Sequence, residues 1–172
     1  LYLAATEAIS AKVEYLKFNS ELWFDQMIAS GTLPLIVKKP SIINNYRYFD
    51  GGITDPIPVR KAYSLGAKKI IIIRTYEKNF IRTNKIENYV AALFMSKYPN
   101  LSKALLRHSK TYNDCLDFIK NPPADCQIVE ICPPMRLKVK RDTIDHNLLK
   151  EGYQIGVRSA EEFLRLNSNL FY

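Results

Sequence analysis

The chain has 172 residues, of which 47% are hydrophobic and 24% charged, and its formal net charge is +8. This length is enough for one domain with a real core, and the composition is that of an ordinary globular protein. No apolar run approaches the roughly 20 residues that a bilayer-spanning helix needs, which argues against a membrane-embedded protein.

The basic residues are scattered, mostly as pairs such as Lys38-Lys39 and Lys68-Lys69. A nucleic-acid-binding protein normally collects its cations on one face or along one helix, so no nucleic-acid partner is predicted. A basic surface also suits anionic lipid headgroups, which keeps peripheral membrane contact open.

The cysteines Cys115, Cys126 and Cys132 are odd in number and lack Cys-x-x-Cys spacing. Neither a disulfide framework nor a zinc site is expected, and a reducing, cytoplasmic setting fits best. His108 and His146 stand outside any metal-binding pattern, so no metal and no cofactor are predicted.

In chain order, residues 1–7 and 12–18 predict two strands joined by a short polar turn. A helix is expected over 21–29, with Ser20 as its N-cap, and Gly31 marks its end. Asn44-Asn45 then predicts the tip of a hairpin that leads into Asp50.

Residues 59–65 predict a short helix closed by a left-handed Gly66. Four consecutive isoleucines within 69–74 are typical of a strand that is covered on both faces, as in parallel sheets. A further strand is expected over 127–131.

Three helices are predicted, the first from about residue 86 to near Pro99, the second from its cap Asn100 to Asn121, and the third over 145–166, and their apolar stripes are expected to face the core. The stripes are Ile86, Val90, Leu93 and Phe94; Leu101, Leu105, Tyr112, Leu116 and Ile119; and Leu149, Tyr153, Val157, Ala160 and Leu164. Strands separated by helices indicate an α/β layered domain with a largely parallel sheet, and no repeat or linker divides the chain.

Asp50 stands in the stretch whose backbone is most tightly specified, because Gly51 and Gly52 follow it directly and Asp-Pro-Ile-Pro-Val occupies 55–59. Glycines permit positive φ and close approach of other groups to the backbone. An ordinary reverse turn and a specially placed catalytic carboxylate both fit this pattern. A Gly-x-Ser-x-Gly elbow, a phosphate-cradling glycine loop and a metal motif are all absent from these residues.

With its flanks, the Asp50-Gly51-Gly52 stretch resembles the catalytic-aspartate signature of the patatin-like phospholipases, and in particular of bacterial patatin-like proteins. Other segments resemble the family in the same order, namely 3–6 (Leu-Ala-Ala-Thr), 29–34 (Ala-Ser-Gly-Thr-Leu-Pro), 66–73 and 137–141. The resemblance implies a layered α/β/α fold with a largely parallel central sheet. It implies further that residues 1–172 are an incomplete, C-terminal part of a single patatin-like domain.

The resemblance also implies a serine–aspartate dyad that hydrolyses phospholipids or other acyl esters. Asp50 would be its catalytic base, and Gly51 and Gly52 would support the motif. In such a site the carboxylate accepts the proton of the serine hydroxyl as that hydroxyl attacks the ester carbonyl. The dyad needs no cofactor and no metal. We expect the protein to be cytoplasmic or at the membrane periphery.

The nucleophile elbow and the oxyanion loop of that family are expected upstream of Leu1, and Ser30 lacks the surroundings of an elbow. The 172 residues alone are therefore predicted to be inactive, with Asp50 supplied to a longer hydrolase. The alternative is a non-catalytic lipid- or protein-binding module derived from the same fold. For Asp55 we expect a structural role, as a cap of the turn or of the helix over 59–65.

Overall fold

The structure is a computed structural model, and it describes residues 1–34, 36–37, 39–83, 86–140 and 142–167. The chain divides into two compact units. The first comprises Leu1–Ala62 and Arg82–Asn121, and the second Tyr63–Ile81 and Pro122–Tyr172. That both belong to one larger domain stays a prediction.

The first unit contains a four-stranded sheet in the order β2-β1-β4-β3, with every neighbouring pair antiparallel. Its strands are β1 (Tyr2–Glu7), β2 (Val13–Lys17), β3 (Ser41–Ile43) and β4 (Tyr46–Asp50). Asn44 and Asn45 join β3 to β4 with φ values of 49° and 68°. Two left-handed residues are what a tight hairpin turn requires, so the predicted hairpin tip is confirmed.

The helices of the first unit are α1 (Trp23–Gly31), α3 (Ile86–Phe94) and α4 (Pro99–Lys120), while α2 (Val59–Ser64) runs across the boundary between the units. The predicted Ser20 cap is wrong, because α1 begins at Trp23 after Leu22, which makes no side-chain capping bond. Asn19 instead stabilises the turn that precedes α1. Its side-chain oxygen accepts a hydrogen bond of 2.8 Å from the backbone N–H of Glu21.

The core of the first unit confirms the predicted stripe of α4 and contradicts that of α3. Every predicted α4 position is buried, and Leu101 is fully so. In α3 the buried residues are Ala91 and Ala92, whereas Ile86 and Leu93 are 80% and 75% exposed. The Ser102 hydroxyl donates a hydrogen bond to the Ala92 carbonyl, so α4 takes the small-residue side of α3 and the large side chains point outward.

The second unit contains a two-stranded parallel sheet of β5 (Lys69–Ile73) and β6 (Gln127–Ile131), together with α5 (His146–Leu166). Gly66 has φ +94°, which confirms the predicted left-handed residue after α2. The Arg74 guanidinium forms a buried ion pair with Glu130 of β6. The predicted α5 stripe does not form core within the described residues, since Phe163 is the buried position and Tyr153 is 73% exposed.

The chain is thus a mixed α/β protein, as predicted, but its described strands are not largely parallel. Among the described strands, only β5 and β6 pair in parallel. The tight connections β1–β2 and β3–β4 can join only antiparallel neighbours, and these two hairpins supply two of the four strand pairings among the described residues. Burial alternates along β5, with Ile70 and Ile72 buried and Ile71 and Ile73 exposed. The prediction that other elements cover both faces of this strand is therefore wrong for the described residues.

No helix among the described residues has both the length and the apolar character needed to cross a bilayer.

Candidate functional site

Asp50 is the last residue of β4 and the N-cap of a 3-10 helix over Gly51–Ile53. Its Oδ1 accepts a hydrogen bond of 2.7 Å from the backbone N–H of Gly52. Its own N–H donates to the Thr32 carbonyl at 2.8 Å. The strand, the residue after α1 and the first turn of the 3-10 helix therefore fix both the backbone and the carboxylate of Asp50.

Close approach, and not positive φ, is what the two glycines provide. Neither has a left-handed φ. A Cβ at Gly51 would overlap the carbonyl group of Ala4 on β1 and lie 2.8 Å from the Ala4 Cβ. At Gly52 a Cβ would lie 3.0 Å from Asp50 Oδ1. Gly51 lets β1 lie directly against the turn. Gly52 leaves room for the Asp50 carboxylate to accept a hydrogen bond from the Gly52 N–H.

A pair of threonines, the buried Thr6 and the half-buried Thr54, braces the turn. The Thr6 hydroxyl, on β1, donates to the Asp50 carbonyl at 2.8 Å and lies 2.8 Å from the Thr54 hydroxyl. Because a carbonyl can only accept, the single proton of Thr6 is committed, and Thr54 must donate to Thr6. Thr6 thereby links the residue before the 3-10 helix to the residue after it.

Asp55 connects the turn to two other elements. Its N–H donates to the Gly51 carbonyl at 2.9 Å. One carboxylate oxygen accepts a hydrogen bond from the Tyr15 hydroxyl of β2, and the other lies 3.8 Å from the Cys115 sulfur of α4. In place of the cap of the turn or of α2 that we expected, the contacts of the Asp55 side chain are to a strand and a helix.

The environment of Asp55 favours the protonated forms of its two neighbours. Burial, together with the hydrogen bond to Asp55, raises the pKa of the Tyr15 phenol. Burial raises the pKa of the Cys115 thiol to about 11, and the negative charge of Asp55 adds to the effect. At neutral pH both groups are therefore donors toward the carboxylate, and Cys115 is not a reactive thiolate.

Sequence reasoning identified Asp50, Gly51 and Gly52, and the structure brings these three into one turn. The sequence-based prediction did not include Thr6 and Tyr15. Each lies more than 35 positions away from its partner in the chain, since Thr6 contacts Asp50 at a separation of 44 residues and Tyr15 contacts Asp55 at 40. No local spacing signals such contacts, and only the strand order β2-β1-β4 produces them.

The arrangement offers a half-buried carboxylate of fixed orientation at the end of a strand. A carboxylate held in this way can accept a proton from a hydroxyl that comes within hydrogen-bond reach. Among the residues that the structure describes, no group of three or more His, Cys, Asp or Glu side chains is placed to hold a metal ion.

Two comparisons relate the chain to known proteins. Residues 98–171, which begin just before α4 and do not include Asp50, match the family described as "Domain of unknown function (DUF6363)". The chain is also similar to "Uncharacterized protein YjjU" of Escherichia coli (strain K12), with 28% identity over 167 residues. That match covers 95% of this chain and 46% of the relative, so the chain spans about half the length of the curated protein that it matches. Neither description states an activity.

Proposed function

We propose that the chain is the part of a patatin-like acyl-ester hydrolase that supplies the general base, Asp50. The proposal includes the layered α/β/α arrangement of that family, completed by residues outside the 172. Its substrates would be phospholipids or other acyl esters, and its place the cytoplasm or the membrane periphery. The starting point is the order of segments around Asp50, which resembles that of the family.

The observation that carries the proposal is the fixed carboxylate of Asp50. A hydrogen bond of 2.7 Å from the Gly52 N–H orients it, and Gly51 makes this geometry possible by letting β1 lie against the turn. A general base needs this kind of preorganisation, because proton transfer requires a donor and an acceptor at hydrogen-bond distance in a defined direction.

In the proposed reaction a serine from outside these residues forms a bond between its Oγ and the ester carbonyl carbon, while its proton passes to Asp50. The tetrahedral intermediate then expels the alcohol, which takes the proton from Asp50, and the acyl group stays on the serine. Water attacks this acyl-enzyme in the same way, with Asp50 again accepting a proton. The free serine is regenerated and the fatty acid released.

The test is Asp50→Asn in the full-length protein, assayed on a short-chain chromogenic ester. The amide has nearly the shape of the carboxylate but cannot act as a base, so kcat should fall by about 10²-fold to 10⁴-fold. The matched control is Asp142→Asn, which removes the same charge at an exposed position and should leave the rate unchanged. Hydrolysis at the wild-type rate in Asp50→Asn would sink the role given to Asp50.

The net charge of +8 favours a second candidate, a non-catalytic lipid- or protein-binding module. Such a module would bind anionic vesicles in a salt-dependent way and would turn over no ester even in the full-length protein. Measurable hydrolysis that depends on Asp50 excludes it.

A further inference from the structure

The hydroxyls of Thr54 and Thr6 form a short series of hydrogen bonds that ends on the backbone of Asp50. Thr54 donates to Thr6 and Thr6 donates to the Asp50 carbonyl, with 2.8 Å between the oxygen atoms at each step. The pairing of β1 with β4 places Thr6 opposite Phe49, the residue before Asp50. The two hydroxyls therefore reach the point at which β4 ends and the 3-10 helix begins.

The Asp50 carbonyl is the pivot of the turn. Asp50 has a φ of −44° and a ψ of 127°, and the next residue is already in the 3-10 helix. The carboxylate lies before this carbonyl along the chain, and the Gly52 N–H that donates to the carboxylate lies after it. A rotation about ψ of Asp50 would turn the carbonyl and move the Gly52 N–H away from Oδ1. Because the Thr6 hydroxyl holds the carbonyl, it opposes this rotation and maintains the geometry of the carboxylate.

Burial indicates that the hydroxyl of Thr6, and not its bulk, is what the turn uses. Thr6 is fully buried, and a buried hydroxyl costs free energy unless it is hydrogen-bonded. Valine has nearly the same shape, so packing alone does not require a hydroxyl at this position. A valine there would present a methyl group to the Asp50 carbonyl and remove the donor that fixes its direction.

We propose that the hydroxyls of Thr6 and Thr54 are positioning groups, which hold the Asp50 carboxylate in the orientation that a general base requires. The inference rests on the proposed function, because it assigns these hydroxyls a role in the same proton transfer. Neither hydroxyl touches the reacting atoms, and both act through the backbone of Asp50. A misplacement on the order of 1 Å can slow such a step by about a hundredfold. Loss of the Thr6 bond shifts the carboxylate by less, so a loss of about tenfold is expected.

The first test is kinetic and uses the full-length protein with a short-chain chromogenic ester. Thr6→Val should lower kcat by about tenfold and leave KM unchanged, because the carboxylate moves while the contacts with the substrate do not. Thr6→Ser keeps the hydroxyl and should restore most of the wild-type kcat. Thr143→Val is the matched control in the second unit, where the hydroxyl accepts a hydrogen bond of 2.8 Å from the Lys140 N–H, and its kcat should be that of the wild type.

The second test is independent of activity. In full-length protein labelled on glycine, the NMR signal of the Gly52 amide reports its hydrogen bond to the Asp50 carboxylate. It is identified as the glycine signal that Gly52→Ala lacks. A charge-assisted hydrogen bond shifts an amide proton downfield, so Thr6→Val should move this signal upfield as the bond lengthens. Thr6→Ser and Thr143→Val should leave it in place.

Three results would overturn the inference: wild-type kcat in Thr6→Val, a loss in Thr6→Ser as large as that in Thr6→Val, or an unshifted Gly52 signal in Thr6→Val. If Thr6→Val does not fold, Thr54→Val tests the same pair, because Thr54 is half-buried and its hydroxyl directs the Thr6 proton toward the carbonyl. This variant should also have a lower kcat and an upfield Gly52 signal. A wild-type value of either quantity in Thr54→Val would contradict the proposed role.

Asp50→Asn separates this inference from the proposed function. Wild-type hydrolysis in Asp50→Asn would refute the role of Asp50 as the base, whereas the Gly52 signal in Thr6→Val would still show whether the hydroxyl holds the carboxylate. Loss of hydrolysis in Asp50→Asn together with wild-type kcat in Thr6→Val would leave the base in place and refute the positioning role alone.

Discussion

At the scale of single residues, the turn at Asp50 depends on Gly51, against which β1 is packed. Gly51→Ala would push a methyl group into the backbone carbonyl of Ala4, which cannot move without disturbing β1. We expect a loss of about 1–3 kcal/mol in the free energy of unfolding, measured by chemical denaturation. Gly156→Ala on α5 is the control, because nothing lies within 4 Å of the added atom and alanine favours helix. Equal stability of the two variants would contradict the close approach.

Cys115 gives a pH-dependent prediction at the same scale. Its pKa is raised from 9.0 to about 11, so the folded state holds the thiol proton more tightly than the unfolded state. The resulting stability is fully present below pH 9 and is lost as pH rises toward 11. Between these limits the wild type should lose about 1–2 kcal/mol more unfolding free energy than Cys115→Ala. Parallel stability curves for the two proteins would show that burial and the charge of Asp55 do not raise the pKa of this thiol.

The residues of the candidate site divide into those that a local pattern reveals and those that only the fold brings in. Asp50 and its glycines are adjacent in the sequence, so a local pattern can reveal them. The hydroxyls of Thr6 and Tyr15 reach the same turn from β1 and β2. Strand pairing places them there, and ordinary threonine and tyrosine positions in a strand give no sign of it.

At the scale of elements, periodicity located the helices well but could not say which side faces inward. The α4 stripe is core, whereas in α3 the small residues are inside and the large ones outside. The spacing of apolar residues is equally regular in α3 and α4, because it shows only that each helix has an apolar and a polar side. The choice between them was made by the packing of α4 on Ala91 and Ala92.

This difference between the two helices can be measured. Leu101→Ala removes a fully buried side chain and should cost about 2–5 kcal/mol of unfolding free energy. Leu93→Ala removes the same atoms from a position that is 75% exposed and should change stability by less than about 0.5 kcal/mol. A large loss from Leu93→Ala in denaturant titrations would mean that α3 is turned the other way.

At the scale of the whole molecule, the mixed α/β class followed from the sequence, but the strand directions did not. Four isoleucines in a row suggested a central parallel strand, and β5 does pair in parallel with β6. The exposed Ile71 and Ile73 show that a run of apolar residues identifies a strand without identifying what lies on each face. The four-stranded sheet that positions Asp50 is antiparallel, because short turns connect its hairpins.

The central claim is that Asp50 is the base of an acyl-transfer step, and the rate of that step tests it most directly. In the full-length protein mixed with excess chromogenic ester, the first turnover releases the alcohol as the acyl-enzyme forms. We expect this burst to be slower by about a hundredfold or more in Asp50→Asn than in the wild type, and unchanged in Asp142→Asn. A burst of wild-type rate in Asp50→Asn would show that another group accepts the proton.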